Sequence, residues 1–231
     1  VIPVKDNIPN ERFPLVTVAL ILANLVVYVL AAAHGGSLIA GPATRELVRY
    51  GTTPAALTHG RRLGTILSAM FLHASIVALA ANMLFLWIFG NTIEDAMGSL
   101  RFLAFYLTGG VAALALQTAV APRSASATVG AAGAIAAVLG AYIVIYPRAR
   151  VLTLSLIVLF FTVVETPAVV MLALWVAVQA VLAAAGLTDP GGGGGAAVYL
   201  VYAGGFAFGL ASVRPLATRR KSTPPTAAAY R

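Results

Sequence analysis

Between Pro14 and His34 the chain carries no charged residue, and apolar runs of the same kind recur almost to its C-terminus. A run of about 20 apolar residues is long enough to cross the hydrocarbon of a bilayer as a helix. Inside that hydrocarbon every backbone N–H and C=O must be satisfied within the protein. The rest of the composition agrees: 60% of the residues are hydrophobic and 10% charged, where a soluble domain carries about 25% charged residues. Too little polar surface remains to cover a water-soluble globule, and the chain reads as a polytopic membrane protein.

Six spans are expected. Leu15–Ala33 is the first, with Pro14 at its start. Residues 34–69 form a first loop too long for a simple connector, which implies structure of its own. Residues 75–93 make the second span, closed by Glu94 and Asp95, with Glu94 within reach of Arg101. The third covers 100–120 and the fourth 129–146, ended by Pro147, Arg148 and Arg150. Residues 151–185 are apolar for too long to be one helix and are broken by Glu165-Thr166-Pro167. This divides them into a loop or interfacial segment at 151–164, with Glu165 at the interface, and a fifth span at 168–185. A connection at 187–195 with Asp189-Pro190 and five consecutive glycines reads as flexible. Residues 196–213 are the sixth span, and 214–231 a basic, Pro- and Ala-rich tail expected to be disordered. The predicted fold is all-α: one six-span bundle over residues 1–213 with a long first loop.

Fifteen Lys and Arg against seven Asp and Glu give a net charge of +8. These cations punctuate the apolar runs instead of forming the clustered patch that a nucleic-acid surface needs, so nucleic acid is excluded as a partner. Six spans place both termini on one side. With the termini inside, that side holds Lys5, Arg12, Arg101, Arg148, Arg150, Arg214, Arg219, Arg220, Lys221 and Arg231, and Arg45, Arg49, Arg61, Arg62 and Arg123 lie outside. Positive charge collects in cytoplasmic loops, so the predicted topology is N-in and C-in. The polar, proline-bearing N-terminus does not read as a cleaved signal peptide. Ala-, Gly- and Arg-rich usage points to a bacterial inner membrane. The chain has no cysteine, and His34, His59 and His73 show no ligand spacing, so neither a metal nor another cofactor is expected.

Three separated segments carry more information. The first holds Phe71-Leu72-His73, Asn82-Met83, Phe89-Gly90, Ile93-Glu94, Gly98, Arg101-Phe102 and Tyr106. The second runs from Gly130 to Gly140 and on to Tyr142 and Pro147-Arg148. The third is Gly204-Gly205-Phe206 with Gly209. On their own, Gly133, Ala137 and Gly140 in span four and Gly205 and Gly209 in span six make small-residue stripes, which let two helices pack backbone to backbone. In order and together, the segments resemble the rhomboid family of intramembrane serine proteases.

That resemblance implies a serine at the start of span four and a histidine base on span six. It also implies oxyanion donors from a His-x-x-x-Asn motif on span two and from backbone N–H groups. Here the serine position is Ala132, within Gly130-Ala131-Ala132-Gly133; the base position is Tyr202; the span-two histidine position is Ala78; only Asn82 is retained. Alanine has no nucleophilic atom. A tyrosine, with a pKa of ~10, is no base near neutrality, and loss of one oxyanion donor typically costs about 10²–10³ in rate. Ser124, Ser126 and Thr128 precede span four, but no histidine remains on span six to activate them. His73 is read as a local hydrogen-bonding residue, Gln117 and Gln179 as interhelical glue, and Trp87 and Trp175 as interface or packing residues.

Three functions follow. The first is a proteolytically inactive rhomboid-like scaffold that binds transmembrane segments of client proteins within the lipid bilayer. The second is an active intramembrane protease whose reactive residues have been replaced deliberately. The third, a small transporter or channel, would need polar groups lining spans four to six, and these are scarce.

Overall fold

The computed structural model describes residues 2–157, 160–184 and 195–218. The first apolar run is helix α1 (Leu15–Ala33), and the long loop after it folds into three short helices, α2 (Thr44–Tyr50), α3 (Pro54–Thr58) and α4 (Thr65–Phe71). Thr53 starts α3 by accepting the Ala56 N–H at 3.2 Å, with Pro54 at the first helical position, where its missing N–H costs nothing.

The second run is α5 (Ile76–Phe85), a π turn over Leu86–Gly90, and α6 (Asn91–Met97). Gly98, at φ +84°, ends it and donates its N–H to the Glu94 carbonyl at 2.7 Å. Then follow α7 (Ser99–Val120), α8 (Ala132–Ile145), α9 (Ala168–Ala184) and α10 (Gly195–Ser212). Among the described residues, Leu15–Ala33, Ile76–Met97 and Ser99–Val120 are long and apolar enough to cross a membrane, and shorter apolar helices lie in the regions of α8, α9 and α10. The glycine-rich connection read at 187–195, apart from Gly195, the Gln179 side chain and the tail beyond residue 218 lie outside the described residues.

The centre of the bundle is α8. Every residue from Gly133 to Tyr142 is buried, as suits a helix that is apolar all round. It packs on α7 and α10 and on the π turn, where Phe89 meets Tyr142 edge-on at 4.9 Å.

The structure corrects the all-α expectation. Strands β1 (Ile2–Asp6), β2 (Arg150–Ile157) and β3 (Phe160–Pro167) form an antiparallel sheet in the order β1-β2-β3. The segment at 151–164, read as a loop or interfacial segment, is mostly a hairpin arm, and the polar N-terminus supplies its neighbour. The physical reason lies in residues such as Val151, Thr153 and Val164, β-branched and suited to a pleated surface. Two short paired strands also satisfy backbone groups that one overlong helix would have carried through Pro167. The β1 register slips between Pro3 and Lys5, at a proline with no N–H to offer the ladder. Glu165 lies 3.8 Å from Arg150 across the hairpin.

A second correction concerns Glu94. It is buried, and its partner is the start of α1, not Arg101. It accepts the Val16 N–H at 3.0 Å, the Thr17 N–H and hydroxyl at 2.8 Å each, and the Ser99 hydroxyl at 2.6 Å. A carboxylate there satisfies orphan N–H groups and opposes the positive end of the helix dipole.

Candidate active site

The first turn of α8 is approached by a link whose backbone suits glycine. Gly130 sits at φ +110°, where a side chain is disfavoured, so the helix begins at Ala132 and not at residue 129. Its N–H donates to the Ala69 carbonyl at 2.8 Å. Just upstream, Thr128 and Thr52 exchange backbone hydrogen bonds at 2.7 and 3.2 Å, and the Thr128 hydroxyl donates to Gln117 Oε1 at 3.0 Å. Gln117, buried on α7, thereby fixes the loop that leads into the site.

Ser75 caps the N-terminus of α5 by accepting the Ala78 N–H at 3.2 Å. One turn further on, Asn82 aims its amide Nδ2 at Nε2 of His73, 3.0 Å away. As placed, the amide donates and Nε2 accepts, which puts the imidazole proton on Nδ1. His73 is buried just outside the span, and burial lowers its pKa to about 4, an effect that the nearby Phe71 backbone only partly offsets. It is a neutral ring at physiological pH. A Cβ built on Gly130 would stand 3.8 Å from Asn82 Nδ2 and 3.9 Å from His73 Cδ2. The start of α8, Asn82 and His73 therefore meet at one place.

Ala132, two residues beyond Gly130, is half-buried and begins α8; Ala78 is exposed on α5. Tyr202 lies on α10, and its ring meets Trp175 of α9 edge-on at 5.2 Å; Trp175 in turn lies 5.6 Å from Phe85 of α5. Aromatic contacts thus join α5, α9 and α10.

The four glycines lie where α8 and α10 touch. A Cβ on Gly205 would overlap the Gly133 carbonyl oxygen, one on Gly209 the Ala137 carbonyl oxygen, and one on Gly140 the Phe206 carbonyl oxygen. Gly133 also faces Val201, whose Cγ1 would lie 2.8 Å from an added Cβ.

Residues 60–218 match the Rhomboid domain family. The chain belongs to the rhomboid family. Its rhomboid relatives include presenilin-associated rhomboid-like protein A, mitochondrial, of Danio rerio, 37% identical over 123 residues, which cover 51% of this chain and 31% of that protein. Rhomboid protease GluP of Bacillus subtilis (strain 168) is 32% identical over 128 residues, 55% of this chain and 24% of the relative. RHOMBOID-like protein 6, mitochondrial, of Arabidopsis thaliana is 32% identical over 102 residues, 44% of this chain and 33% of the relative. The matched stretch spans a third or less of each of these rhomboid proteins.

Sequence reasoning missed one polar cluster at the opposite end of the bundle. Asp6 of β1 is buried and accepts the Thr92 hydroxyl at 2.7 Å and the Tyr142 hydroxyl at 2.9 Å. Burial raises its pKa to about 6 against those hydrogen bonds and the nearby Lys5 charge. A lone acid in a polar terminus gave no signal of this. Asp95 likewise accepts the Glu11 N–H at 2.9 Å. Among the described residues no group of acids, histidines or cysteines could hold a metal ion.

Proposed function

We propose that this rhomboid-family membrane protein is a pseudoprotease that holds transmembrane segments of client proteins without cutting them. The observation that carries the reading is the residue at the start of α8: Ala132 offers a methyl group and no nucleophilic oxygen, two residues beyond the Gly130 that approaches the Asn82–His73 pair. Asn82 and the N–H groups of the first turn of α8 can polarise a carbonyl group that enters. Without a nucleophilic oxygen at Ala132 or a base at Tyr202, acyl transfer has no first step.

Apolar faces on α5 and α9 leave room for a client helix: Val77, Val170, Leu174 and Val176 are exposed. Six spans with both termini inside remain part of this proposal. So does residence in a bacterial inner membrane, which the mitochondrial relatives do not support and the Bacillus relative permits.

Two experiments on the purified chain test it together. A fluorophosphonate probe should label no serine or threonine, and a transmembrane peptide bearing a photoreactive residue should crosslink to α5 or α9 and remain uncut. Labelling that maps to the described helices, or cleavage of the peptide, would overturn the inactive reading. An uncut peptide that never crosslinks would remove the client-binding part.

The alternative of a protease disabled by replacement is favoured by one feature, the Asn82–His73 hydrogen bond kept in a chain with alanine at position 132. Restoring the replaced side chains separates the two.

A further inference from the structure

The loop end of the molecule is strongly basic and carries an ordered aliphatic tip. It lies at the far end of α1 from Glu94 and the sheet, about 28 Å along a helix of this length. Residues 34–75 and 121–131 contain Arg45, Arg49, Arg61, Arg62 and Arg123 against Glu46 alone, five minus one, a net charge of +4. All five arginines are exposed.

The fold gathers them. Arg62 donates to the Val48 carbonyl at 2.7 Å and to that of Arg49, which closes α2 against the following loop. The Thr58 hydroxyl donates to the Pro122 carbonyl at 3.2 Å, which brings Arg123 beside α3. Glu46 pairs with Arg45 at 3.6 Å.

Next to Arg45, whose guanidinium donates to the His34 carbonyl, the chain makes a tight turn. Ser37 and Gly41 exchange backbone hydrogen bonds at 2.9 and 2.8 Å, and Ser37 Oγ accepts the N–H groups of Ile39 and Ala40. The Tyr28 hydroxyl donates to the Leu38 carbonyl at 3.1 Å. Gly41, at φ +101°, is pressed against the Ala74 carbonyl oxygen, where no Cβ would fit. This turn holds Leu38 at 57% and Ile39 at 84% exposure. Their exposure is imposed by an ordered structure, and in water it would only be a cost.

We propose that this end of the protein docks on anionic phospholipid headgroups of the leaflet in which it sits. Leu38 and Ile39 enter the acyl boundary, and the guanidinium groups of Arg49, Arg61 and Arg123 bind lipid phosphates. Arginine presents a planar fork that matches phosphate oxygens, and a basic surface with aliphatic anchors is the combination that anionic interfaces hold. Lipid fits better than an acidic protein segment because the aliphatic tip follows shortly after α1, a helix long and apolar enough to cross a membrane.

The chain has no cysteine, so Ile39→Cys gives the full-length protein one site for an environment-sensitive fluorophore. We compare nanodiscs of phosphatidylcholine with nanodiscs of phosphatidylcholine and phosphatidylglycerol. Phosphatidylglycerol should shift the emission to the blue and raise quenching by spin-labelled lipids several-fold. Arg49→Gln with Arg61→Gln and Arg123→Gln should abolish that difference at unchanged helix content. High salt should weaken it, since exposed charges are screened within about 10 Å at 0.1 M salt. Equal emission in the two lipids, or a difference that survives the triple glutamine variant, overturns the proposal. So does a blue shift produced by a soluble acidic peptide in phosphatidylcholine nanodiscs as large as that given by phosphatidylglycerol.

Discussion

The amide of Asn82 donates to Nε2 of a buried His73 at 3.0 Å, and this bond ties the segment before the second span to the span itself, close to Gly130 of the link before α8. His73 titrates at about 4 in the folded chain, against 6.5 for an unperturbed imidazole. Between those values the unfolded chain binds a proton that the folded chain does not. The stability from His73 is therefore complete above pH 6.5 and is lost as the pH falls towards 4. Asp6 works in the opposite sense. Its folded value of about 6 lies above 3.8, so the folded chain binds the extra proton, and its contribution is lost as the pH rises through 6.

Each shift corresponds to about 3 kcal/mol, and between pH 4 and 6 the two nearly cancel. The unchanged protein should show an almost flat melting temperature over that window. Asp6→Asn, which leaves an oxygen for the Thr92 and Tyr142 hydroxyls, should make the melting temperature climb with pH from 4 to 6.5. His73→Gln should make it fall. Thermal unfolding in detergent at a fixed scan rate reads both, and parallel curves for all three proteins would refute the assignment.

The contact between α8 and α10 depends on glycines that leave no room for a Cβ. Gly205→Val would drive a side chain into the Gly133 carbonyl and towards the Ala136 methyl group, 3.2 Å from the added Cβ. The loss should be about 3 kcal/mol or more, at the upper end for overpacking. Gly64 has nothing within 4 Å of an added Cβ and a negative φ, so Gly64→Ala should leave the melting temperature unchanged or slightly raised. Equal losses from the two variants would mean that the helices are not in backbone contact.

Much of this was legible before any coordinates. Gly133, Gly140, Gly205 and Gly209 are spaced as small-residue stripes, and spacing along a helix is a local property of sequence. Asn82 stood out as an amide within an apolar run. The sheet was not legible, because the residues of β2 and β3 are as apolar as a span, and only pairing with distant β1 distinguishes them. Glu94 was misread for the same reason. Its nearest cation in sequence is Arg101, but its partners are N–H groups at Val16 and Thr17, 78 and 77 residues away.

Glu94 gives a graded prediction. Glu94→Gln keeps an acceptor for the Thr17 groups but loses the charge that opposes the α1 dipole, and should cost about 1 kcal/mol. Glu94→Ala leaves the buried Thr17 N–H and hydroxyl unpaired, and should cost about 2–3 kcal/mol. Melting temperatures in detergent should fall in that order. An alanine variant no worse than the glutamine variant would show that the cap contributes little.

Repair of the site is the most demanding test. Ala132→Ser supplies a hydroxyl at the start of α8, Tyr202→His a base on α10, and Ala78→His a donor one turn before Asn82. Groups that act as one catalytic unit are strongly non-additive, so Ala132→Ser alone should give no measurable cleavage of a transmembrane substrate, and the triple variant should cut it. The exchange at Tyr202 removes volume and leaves at most a small void beside Trp175, a loss of about 1–2 kcal/mol rather than a clash. Ala78 is exposed, so an imidazole there is not forced into the packed core. Cleavage by the triple variant, read by mass spectrometry of the products, would show a site emptied only at these positions and favour recent disablement. A folded, membrane-inserted triple variant that cuts nothing would show that the surroundings have also changed, with the Trp175–Tyr202 contact as the first place to look, and would favour a long-standing pseudoprotease.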